Sequence, residues 1–417
     1  MKFPRERYIQ QLIRKEGNGL IKVITGIRRS GKSFLLFRLF HEHLVNKGIS
    51  DAQITAIALD DRRNLALREP DCMLAFLEKR IRGEERHYVL LDEIQYMSEF
   101  VDVLNTLLHF PNTDVYVTGS NSRFLSSDIL TEFRGRGDEI RMHPLGFREF
   151  AEAYAGDMDG AWEDYTTYGG LPYTLSLTNP EDREQYLTTL NREVYLTDLI
   201  ERHRIRNTSE FQELMDILAS AVGSLTNPLK LSNTFKTVKN KRISDTTICR
   251  YIEYLEDAFL INRASRFDIK GKKYINSLSK YYYEDIGLRN ARLGFRQYEP
   301  THIMENIVFN ELRLRGFQVD VGILEKYAKD ESHKTTKSTY EVDFVATKGS
   351  RKYYIQSAYR MDSPEKEAQE KYSLQNIRDS FKKLVIVRDN IRPRRDESGI
   401  LTLGIRQFLL DEEAMDL

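Results

Sequence analysis

Three features of the sequence predict an α/β protein, with a parallel sheet and its flanking helices first, a helical region containing a winged helix second, and a small α/β domain last. From Leu20 onward, short apolar runs alternate with stretches of helical periodicity, the pattern of a parallel sheet covered by helices. From Phe147 to about Phe267 the periodicity is helical, and the interruption at Gly169-Gly170-Leu171-Pro172 has the composition of a loop. Beyond it, two-residue alternation returns. A chain of 417 residues exceeds the usual size of a single core, and the changes of pattern divide it into residues 1–150, 151–270 and 271–417.

The first block supplies strands at Ile21–Thr25, Ile54–Leu59, Tyr88–Asp92, Val115–Thr118 and Glu139–Met142, and it ends near Pro144. Helices fit between them at Lys32–Lys47, Asp71–Arg82 and Glu99–His109. In the middle block, Ser209–Phe267 reads as three helices and a short β-ribbon, the element order of a winged helix. Ile248, Tyr251, Ile252, Leu255 and Phe259 recur at helical spacing in the third helix, behind Ser244 and Asp245 as caps. That helix offers Asp245, Thr246, Arg250, Glu253 and Asp257, a poor set for reading base edges. Lys236, Lys239, Lys241 and Arg242, and again Lys270, Lys272, Lys273 and Lys280, fit either a phosphate-backbone footprint or an ordinary solvated face. In the last block Glu305–Arg315 is helical, and Tyr340–Ala346, Lys352–Ala358 and Lys383–Arg388 are strands. The polar segment Lys329–Ser338 is expected to be an exposed, mobile loop.

Composition narrows the classes of partner. Lysine plus arginine equals aspartate plus glutamate, 63 against 63, so net charge supplies no long-range attraction to nucleic acid or to an anionic membrane. Cys72 and Cys249 stand far apart without histidines at zinc-ligand spacing, which argues against a disulfide framework or a structural zinc. Met1–Arg14 lacks the apolar core of a signal peptide, and no run approaches the roughly 18 apolar residues of a membrane span. A cytoplasmic protein without a membrane partner is expected.

The strand Ile21–Thr25 runs directly into Gly26-Ile27-Arg28-Arg29-Ser30-Gly31-Lys32-Ser33 and then, through Phe34, into a helix. Residue types and context match a phosphate-binding loop. Gly26 and Gly31 let the backbone curl so that successive N–H groups and the helix N-terminus face a β-phosphate. Lys32 would bridge the β- and γ-phosphates, and the Ser33 hydroxyl would ligate Mg2+. Ser30 and Phe34 complete the binding segment, while Arg28 and Arg29 are either phosphate contacts or surface charges. The apolar run Tyr88–Leu91 ends in Asp92-Glu93, with Asp92 placed as the carboxylate partner of Mg2+ and Glu93 as the base that polarises an attacking water. ATP and Mg2+ are the cofactors this pairing predicts.

Four further segments belong with these two: Thr118-Gly119-Ser120-Asn121, Arg134-Gly135-Arg136, Pro144-Leu145-Gly146-Phe147-Arg148-Glu149-Phe150 and Gly169-Gly170-Leu171-Pro172. With them, the sequence resembles the AAA+ superfamily of ATPases over most of residues 18–175, and within it a bacterial and archaeal branch that carries a C-terminal domain of unknown function. The resemblance implies that Thr118 to Asn121 acts as a sensor, with Asn121 touching the γ-phosphate or the attacking water; a plain turn is the alternative. It also makes Arg134 and Arg136 arginine-finger candidates, donated from a neighbouring subunit of a homo-oligomer, against the alternative of a solvated turn.

From about Tyr282 to Ile386 the chain resembles the restriction-endonuclease-like fold, on a helix around Glu305, Glu341-Val342-Asp343 on one strand and Ile355-Gln356-Ser357-Ala358 on the next. The resemblance implies a second carboxylate and a lysine, two residues apart, on that last strand, where Gln356 and Ala358 stand instead. The module is therefore expected to keep the fold and to bind without cutting. The protein expected is an Mg2+-dependent ATP hydrolase whose C-terminal modules hold a nucleic-acid or protein partner according to nucleotide state. The alternatives are a nucleotide-gated binding protein with negligible turnover and an ATP-dependent nuclease acting on DNA or RNA.

Overall fold

Five parallel strands, Ile21–Thr25 (β1), Ile54–Ala58 (β2), His87–Asp92 (β3), Thr113–Thr118 (β4) and Gly137–Arg141 (β5), form a sheet in the order β2-β3-β4-β1-β5. They belong to a computed structural model that describes residues 3–119, 135–238, 243–329 and 335–417. Each strand expected in this block is present, with its ends moved by one or two residues, the usual uncertainty of boundaries. β1 and β3 are buried along their whole length, as parallel strands covered on both faces must be. On one face Val23, Ile57, Val89, Leu91, Val115 and Val117 pack on Met73 and Leu77 of helix Pro70–Arg80 and on Val103, Leu104 and Leu107 of helix Phe100–Leu107. On the other, Phe40 of the helix over residues 32–46 lies 4.4 Å from the Tyr116 ring.

A polar column interrupts that second face. Lys22 is fully buried in β1, and its Nζ donates to the Leu20 carbonyl at 2.8 Å and to Asp114. Asp114 also accepts from the Tyr116 hydroxyl and from the Gly17 N–H, each at 2.9 Å. Burial pushes the Lys22 ammonium below its ordinary value, and Asp114 pulls it back. Removing one partner of a buried pair strands the other charge, so Asp114→Ala should lower stability by about 3–5 kcal/mol. The double change Lys22→Met with Asp114→Ala should recover much of that loss. Urea unfolding midpoints of the three variants check this, and a double variant no better than Asp114→Ala would refute it.

The chain forms two units, Met1–Leu145 with Leu171–Ser176 and Asp257–Leu260, and Gly146–Gly170 with Leu177–Glu256 and Ile261–Leu417. In the second unit the three helices of the middle block are Thr208–Ser220, Pro228–Val238 and Asp245–Asp257. Ile248, Tyr251, Ile252 and Leu255 are buried as their spacing predicts, and the Ser244 hydroxyl accepts from the Thr247 N–H at 3.1 Å. The ribbon that follows, Ile261–Asp268 (β6) and Lys273–Tyr283 (β7), is longer than expected and is no free wing. β6 also pairs in parallel with Gln318–Lys329 (β8) through Arg266–Asp268. The ribbon thereby becomes the margin of an eight-stranded sheet, with Thr335–Lys348 (β9), Arg351–Ala358 (β10), Lys382–Val387 (β11), Arg394–Arg395 (β12) and Leu401–Gly404 (β13) in the order β12-β13-β11-β10-β9-β8-β6-β7.

The polar stretch Lys329–Ser338, read as a loop, is strand wherever it is described: β8 and β9 stay paired as far as Lys329 and Thr335, and residues 330–334 lie outside the described residues. An antiparallel ladder is held by backbone hydrogen bonds and needs no apolar face, so polarity alone misleads. The glycine pair at Gly169-Gly170 has a packing cause. The Asp285 carboxylate accepts from the Gly170 N–H at 2.7 Å and from the Leu288 N–H at 3.1 Å, capping helix Ile286–Arg292. Burial pushes that carboxyl up to about 6. At Gly169, where φ is +73°, a Cβ would sit 2.3 Å from the same carboxylate.

Candidate functional site

The loop between β1 and the helix that starts at Lys32 is shaped by its two glycines. Gly26 has φ +133°, and a Cβ there would lie 2.0 Å from the Met142 carbonyl oxygen, which forms part of the segment following β5. Gly31 has φ +100° and directly precedes the helix, whose N-terminus no side chain caps. Its first N–H groups are thus left for a ligand, and the dipole favours an anion there. Ser30 closes the turn onto the Ile27 carbonyl at 2.9 Å, and Arg29 is exposed with φ +66°. Arg28 is half-buried, and Phe34 is half-buried at the end of the helix's first turn. Immediately beyond, Leu35–Phe40 has π-helical geometry, a feature frequent at functional sites.

Lys32 is buried, and its Nζ donates to the Gly26 and Ile27 carbonyls at 3.0 Å each. Burial pushes its ammonium down to about 8, with Glu93 and Asp92 opposing the shift and Arg28 adding to it. β3 ends beside it. Burial raises the Asp92 carboxyl above the usual range, against hydrogen bonds from Thr118 and Ser33. The Thr118 hydroxyl donates to Asp92 Oδ1 and accepts from the Glu93 N–H at 3.0 Å. Glu93 itself has φ +52°, a strained backbone for a residue with a Cβ, and Gln95 donates to its Oε2. The register of β3 with β4, Leu91 beside Val117, is what sets Thr118 against Asp92.

Lys32, Ser33, Asp92 and Glu93 are therefore brought together at the carboxyl edge of one sheet, and Thr118 ties the acidic pair in place. Sequence reasoning had grouped Thr118 with a sensor and missed this tie. It also missed Glu139, whose Oε1 accepts from the Thr25 hydroxyl at 2.5 Å just ahead of the loop. No local signal marks either contact, since both depend on which strands are neighbours. Arg136 is not part of the group: it is exposed, and its carbonyl accepts from the Ile21 N–H at 2.9 Å. That places it at the opposite edge of the sheet, about 17 Å from the loop by the rise of β1. Asn121 and Arg134 lie outside the described residues.

The donor set suits a nucleoside triphosphate with Mg2+. Backbone N–H groups, a buried ammonium, a hydroxyl and two carboxylates converge, and Gly26 and Gly31 keep the cradle open. Among the described residues no group of three or more His, Cys, Asp or Glu is arranged to hold a metal alone.

In the second unit, Lys280 corrects the reading of a surface basic patch. Lys270, Lys272 and Lys273 are exposed around the β6–β7 turn, and Lys236 is exposed too, but Lys280 is buried. Its Nζ lies 2.8 Å from Glu305, 2.6 Å from Glu341 and 3.3 Å from Asp343. Lys239, Lys241 and Arg242 lie outside the described residues. Burial would lower the Lys280 ammonium, yet Tyr282 and the surrounding carboxylates hold it well above its ordinary value. Burial pushes the Glu305 carboxyl up to about 7, against Lys280 and with Asp343 adding. A cation supplied by β7 thus stands among these three carboxylates. Ala358, moreover, packs with Tyr354, Leu374 and Val385 in an apolar core. Two β10 groups do meet Asp343: the Ser357 N–H donates to Asp343 Oδ2 at 2.9 Å, and Gln356 Oε1 accepts from the Asp343 N–H at 3.4 Å.

A parallel sheet whose first strand feeds a glycine loop and a helix, beside a strand ending in an acidic pair, defines a P-loop nucleotide-binding domain of the AAA+ class. Residues 18–151 match the model of the AAA domain family, and residues 159–299 match a domain of unknown function, DUF8612. The chain is 35% identical over 388 residues to an uncharacterized protein of Haemophilus influenzae, covering 92% of each. It is 30% identical over 375 residues to an uncharacterized protein of Methanocaldococcus jannaschii, covering 86% of this chain and 79% of that one. The chain belongs to this family of AAA+ P-loop proteins. Among solved structures, Cdc6p of Pyrobaculum aerophilum aligns with a TM-score of 0.30 at 12% identity, over 74% of this chain and 95% of that one. The ORC2 protein of Aeropyrum pernix aligns with a TM-score of 0.33 at 12% identity, over 72% and 92%. Likeness of that degree transfers no property to this chain. No helix among the described residues is long and apolar enough to cross a membrane.

Proposed function

We propose that the protein is an Mg2+-dependent ATPase whose nucleotide state governs how its second unit holds a partner. The observation that carries this reading is the convergence of Lys32, Ser33, Asp92 and Glu93 on one loop, with Thr118 fixing the acidic pair. Lys32 would leave its two loop carbonyls and bind the β- and γ-phosphate oxygens. Ser33 and Asp92 would orient the metal, which when bound neutralises charge that builds on the phosphates. Glu93 would take the proton of the attacking water, its position set by Thr118. Arg136, remote from the loop of its own chain, could serve only the site of a second copy.

The test is phosphate release from the full chain with Mg2+ or with EDTA, alone and with DNA or RNA, over a range of protein concentrations. Turnover lost with EDTA is expected, and a partner that stimulates it identifies the partner class. Specific activity should rise with concentration if a second copy completes the site. Absence of Mg2+-dependent turnover under every condition would replace this reading with nucleotide-gated binding.

One observation favours a second reading, that the second unit cuts nucleic acid: Lys280 stands among Glu305, Glu341 and Asp343. Against it, the ammonium fills the space between those carboxylates, and β10 offers neither carboxylate nor cation on that face. The outcome expected is no cleavage of labelled single- or double-stranded DNA or RNA in Mg2+ or Mn2+, with or without ATP. Cleavage abolished by Asp343→Ala would establish the nuclease.

A further inference from the structure

The second unit contains a cleft of about 320 Å3 lined by neither the phosphate loop nor the Lys280 group. It lies at the carboxyl ends of β10, β11 and β13, which run parallel to one another. Tyr359 directly follows β10, Arg388 follows β11, and Arg406 comes two residues after β13. Carboxyl ends of parallel strands are where open sheets present ligand-binding side chains, because the connections leave the sheet there. Trp162 and Glu163, from helix Met158–Tyr168, and Tyr298, ahead of helix Pro300–Leu314, complete the set that matters.

The lining combines rings with unpaired charge. Tyr298 is 59% exposed, and Trp162, the single tryptophan of the chain, has its ring held by an edge contact to Phe147 at 5.4 Å. The Arg388 guanidinium lies 5.4 Å over the Tyr359 ring and has no carboxylate partner among the described residues. Arg406, by contrast, is paired with Asp159. The Glu163 carboxylate has no cationic partner among the described residues. A planar guanidinium over an aromatic ring suits a phosphate, and further rings beside it suit a flat heterocycle. The volume lies at the small end of ligand sites and suits one such unit rather than a duplex.

We propose that this cleft binds a single nucleotide unit, its phosphate on Arg388, its base against the aromatic rings, and a ring amino group donating to Glu163. The unit is either a free mononucleotide or one residue of a single strand. The site is separate from the phosphate loop and does not depend on the ATPase reading.

Trp162 makes the test direct, because the chain's single tryptophan lines this cleft. Full-length protein carrying Lys32→Ala, which silences the phosphate loop, is titrated with AMP, adenosine, TMP, a ten-residue deoxyadenosine oligonucleotide and a glutamate-rich peptide. Saturable quenching by AMP is expected, at least tenfold weaker affinity with Arg388→Ala or Tyr298→Ala, and weaker binding of adenosine and of TMP. The oligonucleotide binding tighter than AMP assigns a single strand as the source; equal or weaker binding assigns the free nucleotide. Both variants change exposed side chains, and thermal melts verify that they fold. No quenching by either AMP or the oligonucleotide, an AMP affinity indifferent to Arg388→Ala, or preference for the peptide would each overturn the proposal.

Discussion

Lys32→Ala is expected to abolish tight ATP binding. The side chain is the one cation buried in the loop, and its ammonium already holds carbonyl oxygens in the geometry that phosphate oxygens would take over. Truncating a buried charge that meets an opposite charge costs roughly 2–5 kcal/mol, a loss of affinity of about 30-fold or more. The exposed Arg29 cannot compensate, being a surface side chain outside the curl of the loop. Calorimetric titration with ATP and Mg2+ measures the loss, and an unchanged affinity would reject the assignment. The same group sets a pH dependence. Burial holds free Lys32 at about 8, whereas phosphates favour its charged form. Above pH 8 binding must therefore take up a proton, so affinity should fall as pH rises from 7 to 9, approaching tenfold per unit at the upper end. Lys32→Ala should flatten that slope.

Glu93→Gln should have the opposite signature: ATP bound as tightly as by the native protein, and turnover lowered by about 10²–10⁴-fold. The amide keeps the shape and the contact with Gln95, and the tie from Thr118 runs to the backbone N–H, which the change does not touch. What is lost is the ability to accept a proton from water. The strained backbone at Glu93 fits this role, because a residue with a Cβ is held at φ +52° only where surrounding contacts impose it. Phosphate release measured beside nucleotide retention separates the two effects. Turnover equal to that of the native protein would show that another group activates the water.

The two outcomes rest on features of different legibility. The phosphate loop could be read from consecutive residues, because strand, glycines, lysine and helix follow one another and each requirement is local. The acidic pair at the end of β3 was legible for the same reason. Thr118 reads in the sequence as part of a sensor, since its contact with Asp92 spans 26 positions and exists only through the pairing of β3 with β4. Lys280 reads in the sequence as one more charge of the run Lys270, Lys272 and Lys273. Its neighbours in sequence are exposed at the hairpin turn, but the Lys280 side chain is buried against Glu305, Glu341 and Asp343.

By itself, then, the sequence determined the order of elements in the first unit's sheet, its parallel α/β character and the strand–glycine–lysine–helix pattern of its loop. All three follow from patterns confined to one turn, one strand or one helix. Only the tertiary structure decided that Ala358 of β10 packs away from Glu305 and Asp343. Side chains alternate with a period of two, so a reading displaced by one residue exchanges the two faces, and Ala358 moves from a supposed ligand position into the apolar core. Tertiary structure likewise joined the ribbon β6–β7 to the eight-stranded sheet and set Arg388, Tyr359 and Trp162 around one cleft. Those arrangements depend on register and strand neighbours across long separations, where no short-range preference constrains the chain.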